Sequence, residues 1–145
     1  MAQQKHWKNY AAGVLPYCKT TKRFCIFLRS NEIGFYPKTW ANVGGKVDNN
    51  EINKFKLAAL REMCEETKFC ENIKLKLLYI FREQNFSYRT YLGYVNEEFE
   101  SILNWENDEA KWVTLNEMIN QEKLHPGFKE MLANKKVLDI LNELA

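Results

Sequence analysis

Apolar positions recur along the chain with two different periods, and the changes of period mark out the elements. Tyr10 to Tyr17 and Arg23 to Leu28 are nearly continuous apolar runs joined by the polar Lys19-Thr20-Thr21-Lys22, a pattern that predicts two strands. Asn31 to Lys38, holding Gly34 and Pro37, predicts a loop. Thr39 to Val43 is a short strand running into Gly44-Gly45, and Lys46 to Asn50 is a further extended piece. The period then becomes helical from Asn53, the expected N-cap, to Thr67, with Leu57, Leu60, Met63 and Cys64 on the inward side. Ile73 to Phe81 and Phe86 to Val95 predict strands around Arg82 to Asn85. Glu97 to Glu109 is an acidic connection, Lys111 to Leu115 a last strand, and Leu115 to Asn120 the start of a short helix. From Phe128 onward, Met131, Leu132, Leu138, Leu141 and Leu144 predict a closing amphipathic helix. Strands and helices interleave without regular βαβ spacing, so the expected class is α+β, built as a layered α/β/α sandwich with a mixed sheet.

Composition narrows the class of protein without changing that layout. At 145 residues the chain is expected to be one domain, 1–145, with a proper core. A hydrophobic content of 46% with 14% aromatics excludes a disordered polar chain. The net charge of +2, from 21 basic and 19 acidic residues, argues against a dedicated nucleic-acid binder. Cys18, Cys25, Cys64 and Cys70 form no CxxC pair, and only His6 and His125 could join them, so a zinc site is not expected. Reduced, mostly buried thiols in a cytoplasmic protein fit better. The polar start, Met1 to Asn9, is not a signal peptide, and no apolar run is long enough for a membrane span.

Candidate chemistry concentrates on the first helix. Arg61-Glu62-Met63-Cys64-Glu65-Glu66 places an arginine and three glutamates within two turns. At about 100° per residue, Glu62, Glu65 and Glu66 share one side of the helix, where like charges repel unless something compensates them. Taken alone, such a cluster also fits a solvated helix face. With Gly44-Gly45 just ahead of it, the cluster suits a hard divalent cation bound through oxygen.

The stretch Gly44 to Phe69, GGKVDNNEINKFKLAALREMCEETKF, resembles the signature box of the Nudix hydrolase family. Gly45, five residues and Glu51 match, as do Arg61-Glu62, Met63, Glu65-Glu66 and Phe69. Two departures stand out: nine residues instead of seven separate Glu51 from Arg61, and Lys68 replaces the second glycine. The wider resemblance runs from about Gly13 to Phe128 and implies the Nudix sandwich.

The resemblance also implies the site and its cofactor, Mg²⁺ or Mn²⁺. Catalytic residues would be Glu62, Glu65, Glu66 and Arg61, and metal ligands Gly45, Glu62, Glu65, Glu66 and Glu106. Glu62 is a ligand or the base that activates water. Arg61 would hold a carboxylate, with Glu51 its partner and Asp48 a substitute. Glu106 lies six residues ahead of Trp112, with Asp108 and Glu109 as competitors. Arg29 would face a phosphate or cap the sheet edge. Trp40 and Tyr88, with Phe35, Tyr36 and Phe86, would stack on a base or pack in the core. His125 in His125-Pro126-Gly127-Phe128 is expected to cap a turn.

The expected activity is hydrolysis of a nucleoside diphosphate linked to another moiety, a nucleotide-derived small molecule. The alternatives are an RNA 5′-end or cap pyrophosphohydrolase and a nucleotide-binding regulatory module without hydrolysis. An isomerase sharing the fold would need a further catalytic cysteine, and none is obviously placed. Homodimers are frequent in the family.

Overall fold

The computed structural model describes residues 9–145, so the polar start lies outside the described residues apart from Asn9. Seven strands form one mixed sheet: β1 (Asn9–Cys18), β2 (Arg23–Arg29), β3 (Trp40–Ala41), β4 (Val43–Lys46), β5 (Lys74–Glu83), β6 (Phe86–Val95) and β7 (Asn107–Val113). The order β3-β2-β1-β6-β5 forms its spine, with β4 added to β1 and β7 to β2. The β1–β6 pair is parallel, Asn9↔Phe86 through Cys18↔Val95, and the remaining pairs are antiparallel.

The free edge of β1 is shared between two partners, and this division positions the site. Its N-terminal half pairs with β4, from Ala11↔Lys46 to Val14↔Val43. Its end pairs with β2 at Tyr17↔Phe24 and Cys18↔Arg23. Beyond that point β2 leads into a separate arm with β3 and β7. The single strand expected over Thr39 to Val43 is therefore two short ones, divided at Asn42 because they serve different arms.

Strand alternation gives the sheet two buried faces. Ala12, Val14, Cys25 and Phe27 face α1 (Phe55–Thr67), packing with Ala58, Ala59 and Met63. Leu15, Tyr17, Phe24 and Ile26 face α2 (Leu115–Ile119), α3 (Pro126–Ala133) and α4 (Lys135–Leu144), whose Met118, Met131 and Leu141 complete the second cluster. The α+β sandwich expected from the pattern is the fold observed.

Several boundaries differ from expectation for local reasons. The helix α1 begins at Phe55 after Lys54, because Asn53 takes a left-handed φ of 70°. It is also turned relative to its apolar pattern: Leu57 is exposed, and the inward stripe is Ala58, Ala59, Glu62, Met63, Glu66 and Thr67. Small alanines let the helix approach the sheet, and that approach carries two glutamates inward. The last strand starts at Asn107, inside the expected acidic connection, because β2 supplies a partner out to Arg29↔Asn107. The closing helix is two helices, broken at Asn134, whose side chain accepts from the Val137 amide at 3.1 Å.

The cysteines also differ from expectation. Cys64 and Cys70 form a disulfide, because the chain reverses at Lys68 and brings their Cα atoms to 4.5 Å. Cys18 and Cys25 are free and buried. Among the described residues no helix is long and apolar enough to cross a membrane.

Candidate active site

The two glycines stand on opposite faces of β4, and close approach, not backbone φ, explains both. A Cβ on Gly45, opposite Ala12 on the α1 side, would overlap the Glu62 carboxylate. A Cβ on Gly44, or on its ladder partner Gly13, would overlap the Tyr88 hydroxyl. The strand is thereby thin enough for an acid to press on one face and a phenol on the other.

Arg61 organises the acids. Its Nε and Nη2 donate to the two Glu51 oxygens at 2.7 and 2.8 Å, a bidentate pair. Nη1 donates to Glu62 Oε2 at 2.9 Å and to Glu65 Oε2 at 3.0 Å, and Nη2 also reaches the Lys46 carbonyl at 2.9 Å. Asp48 lies 3.6 Å away, outside direct hydrogen-bonding range. Glu51 thus pairs with Arg61 across the longer spacing. The longer spacer is accommodated between Glu51 and the helix, where Asn53 is left-handed and the Lys54 amide donates to the Glu51 carbonyl at 2.7 Å. Glu51 itself ends a 3-10 turn over Asn49–Glu51, and its Oε1 accepts the Asp48 amide at 3.0 Å. The Arg61 hydrogen bonds hold the Glu51 carboxyl below the usual carboxylate range.

The three helix glutamates occupy different surroundings. Glu65 is exposed at the rim. Glu62 is buried, and burial raises its pKa against the opposing pull of Arg61. Glu66 is the deepest, 3% exposed. Its Oε1 accepts from Asn107 Nδ2 at 2.7 Å, whereas the buried Oε2 has no hydrogen-bond partner. Burial first and the Glu106 charge second push its pKa up to about 9, with Asn107 and the Gly44 amide acting the other way. Asn107 belongs to β7 and Gly44 to β4, so this carboxyl sits where the two arms of the sheet diverge.

Of the three candidates for the fourth acid, Glu106 is the one whose charge reaches both Glu62 and Glu66. The Asn104 side chain fixes it, donating to Glu106 Oε1 at 3.1 Å and accepting its amide at 2.9 Å. Asp108 is drawn away into an ion pair with Lys38, and Glu109 is exposed opposite Leu28. Asn107 is a residue of the site that the sequence pattern does not single out. The signal that finds it is the alternation of β7, which buries it next to Glu106, and the apolar pattern begins that strand only at Lys111, four residues later than the structure does.

Burial lowers the Arg29 pKa, and the nearby carboxylates Glu66 and Glu106 act the other way. Its guanidinium donates to the Phe35 carbonyl from Nη2 at 2.6 Å and from Nε at 3.2 Å to the carbonyls of Phe35 and Tyr36. Tyr88 accepts from Asn42 Nδ2 at 3.1 Å, and burial raises its pKa. Trp40 packs on the cluster facing α2 to α4, with the Lys111 ammonium 4.2 Å from its ring centre. His125 is the N-cap of α3, accepting the Gly127 amide on Nδ1 at 3.0 Å.

Among the described residues no three acidic, histidine or cysteine side chains form a closed metal cage. A divalent cation nevertheless fits the donors present. Glu66 carries a buried oxygen that nothing satisfies, the neighbouring donors are hard carboxylates, and Arg61 offsets only part of their charge.

A family model described as NUDIX domain matches residues 7–135. The chain belongs to the Nudix hydrolase family. A Caenorhabditis elegans protein provisionally named nudix hydrolase 7 is 36% identical over 64 residues, a segment covering 42% of this chain and 21% of that protein. Among solved structures, the MutT protein of Methanosarcina mazei Go1 superimposes with a TM-score of 0.73 at 19% identity, covering 97% of each chain. A Caenorhabditis elegans Ap4A hydrolase, solved as a binary complex, gives 0.69 at 22% identity over 93% of this chain and 98% of that one. The Nudix domain of Shewanella oneidensis NrtR, solved with ADP-ribose, gives 0.70 at 14% identity over 92% and 88%. At these identities the likeness of the structures establishes the Nudix fold alone.

Proposed function

We propose that this Nudix protein is a divalent-metal-dependent pyrophosphohydrolase of a nucleoside diphosphate linked to another moiety. The observation that carries the reading is the buried, unsatisfied Glu66 oxygen beside Glu62 and Glu106, in a carboxylate group organised by Arg61. The Ap4A and ADP-ribose that name two of the structural relatives are both compounds of this kind.

The ion would be held by Glu65, Glu66 and Glu106, with the Gly45 carbonyl, and Glu62 would serve as a further ligand or as the base. A bound Mg²⁺ or Mn²⁺ supplies charge neutralisation at the diphosphate and a lowered pKa for the attacking water. Burial of Glu62 raises its basicity, which suits it to the role of base better than an exposed carboxylate. Arg61 keeps Glu62 and Glu65 in place through a single nitrogen while Glu51 fixes the other end of its fork. Arg29 offers its charge to a phosphate, Tyr88 forms the floor over Gly13 and Gly44, and Trp40 supports β3. The reading includes a cytoplasmic setting; the free Cys18 and Cys25 favour it and the Cys64–Cys70 disulfide speaks against it.

The test is turnover of a panel of dinucleoside polyphosphates, ADP-ribose and nucleotide sugars with Mg²⁺ or Mn²⁺. One compound is expected to be cleaved to a nucleoside monophosphate, with activity lost in EDTA. Glu66→Gln is expected to lower kcat by about a thousandfold, equivalent to several kcal/mol, with an unchanged circular dichroism spectrum. Near-normal turnover by Glu66→Gln would refute the assigned site.

A further inference from the structure

A hydrolase of nucleotide compounds needs a surface for the base, and the two aromatics first in line for it are already engaged. Trp40 carries Lys111 over its ring and packs on the core, and the Tyr88 hydroxyl is pressed against the glycine strands. Two other large aromatics, on the loop that Arg29 holds, are unusually open: Phe35 is 74% exposed and Tyr36 53%. Their placement is built, not incidental. Arg29 holds both of their carbonyls, and the Thr39 hydroxyl donates to the Tyr36 carbonyl at 2.7 Å. The Tyr36 ring meets His125 edge-on, with ring centres 4.8 Å apart. Because His125 Nδ1 accepts the Gly127 amide, the neutral ring carries its proton on Nε2, and that nitrogen is a donor. Tyr36 and Lys38 both adopt left-handed φ values, 48° and 58°, a cost that the surrounding hydrogen bonds sustain.

The same loop is tied to the acidic side of the site. The Ser30 amide donates to the Glu106 carbonyl at 2.9 Å, and Lys38 pairs with Asp108. Arg29 therefore links the aromatic loop, through the Phe35 and Tyr36 carbonyls, to the neighbourhood of Glu66 and Glu106, whose charges reach it.

We propose that Phe35 and Tyr36, braced by Arg29 and His125, form the platform on which the nucleobase of the substrate stacks. This rests on the hydrolase reading for the phosphate end, and it adds a base-binding end to the same site. The carbonyls of Phe35 and Tyr36 anchor the loop, so truncating the side chains keeps those hydrogen bonds and removes the rings together with the Tyr36–His125 contact.

The experiment measures binding by calorimetry, in Mg²⁺, of adenosine 5′-(α,β-methylene)diphosphate and of methylenediphosphonate, its counterpart without nucleoside. Neither is hydrolysed at the bridging carbon, so the result does not depend on turnover. The wild-type protein is expected to bind the adenosine compound about tenfold or more tightly. Phe35→Ala/Tyr36→Ala is expected to lose that preference while binding methylenediphosphonate as before and melting at the wild-type temperature. Tyr36→Phe, which keeps the ring, is expected to retain it. Equal or absent binding of the two compounds by the wild type, or an undiminished preference in the double variant, overturns the platform. Absence of turnover across the substrate panel, with the preference intact, would overturn the hydrolase reading instead.

Discussion

Arg61 carries a positive charge, but its geometry matters more than the charge. One planar fork meets Glu51 with two nitrogens while the third holds Glu62 and Glu65, so three carboxylates share one reference point. A lysine offers a point charge at the end of a flexible stem and reproduces no bidentate contact. Arg61→Lys is therefore expected to cost about 1–3 kcal/mol of stability and to lower kcat by about tenfold or more, read by urea melts and steady-state kinetics. Wild-type values for both would remove the organising role. Glu51→Gln is the informative companion, because it keeps the shape and removes the charge facing the fork. The residues Arg61, Glu62, Glu65 and Glu66 were legible in the sequence as a spaced string of acids and a base. Asn107 was not, since a neutral residue in an acidic stretch carries no signal until the strand holding it is placed.

At the scale of elements, α1 shows how a helical pattern can mislead about which side is buried. Its leucines suggested an inward face through Leu57, yet Leu57 lies in solvent and Glu62 and Glu66 lie beneath the helix. Hydrophobic periodicity assumes that burial follows apolarity, and a functional helix breaks that assumption where its polar groups must enter the molecule. The end of the helix departs from the family box in a second way. Lys68 occupies the left-handed C-cap at φ 65°, a position that favours glycine, and its amide donates to the Cys64 carbonyl. The hydrogen bond between Thr67 Oγ1 and the Phe69 amide and the Cys64–Cys70 disulfide both span this reversal. Lys68→Gly should relieve the backbone cost at the cap and stabilise the protein by about 0.5–1 kcal/mol, measured by urea unfolding with the disulfide intact. A loss of stability would mean that the lysine side chain contributes more than its backbone costs.

On the scale of the whole molecule, the sandwich, its strands and the family were legible, because alternating runs and the acid string are local patterns. The division of the sheet was not, since nothing along the chain announces that β1 shares one edge between β4 and β2. Yet that division gives Glu66 its place, with Asn107 from one arm and the Gly44 amide from the other. A consequence is that the protonation of this single carboxyl couples to the stability of the fold. In the folded, metal-free protein Glu66 keeps its proton up to about pH 9, whereas the unfolded chain releases it near the ordinary value of 4.5. Between those values the folded state holds a proton that the unfolded state has lost, so raising the pH draws the equilibrium toward unfolding. The stabilisation is complete below about pH 4.5 and is lost progressively toward pH 9. In EDTA the stability should therefore fall from pH 7 to pH 9, by up to about 1.4 kcal/mol per pH unit, read as a falling melting temperature. Saturating Mg²⁺ should raise the melting temperature and flatten the slope, since the cation favours the ionised carboxylate in the folded state alone. Glu66→Gln keeps an acceptor for Asn107 but cannot titrate, so it should lose the slope and show a weaker response to Mg²⁺, held then by the remaining ligands alone. A wild-type slope in that variant would place the titration elsewhere and dissolve the link between this site and the stability of the fold.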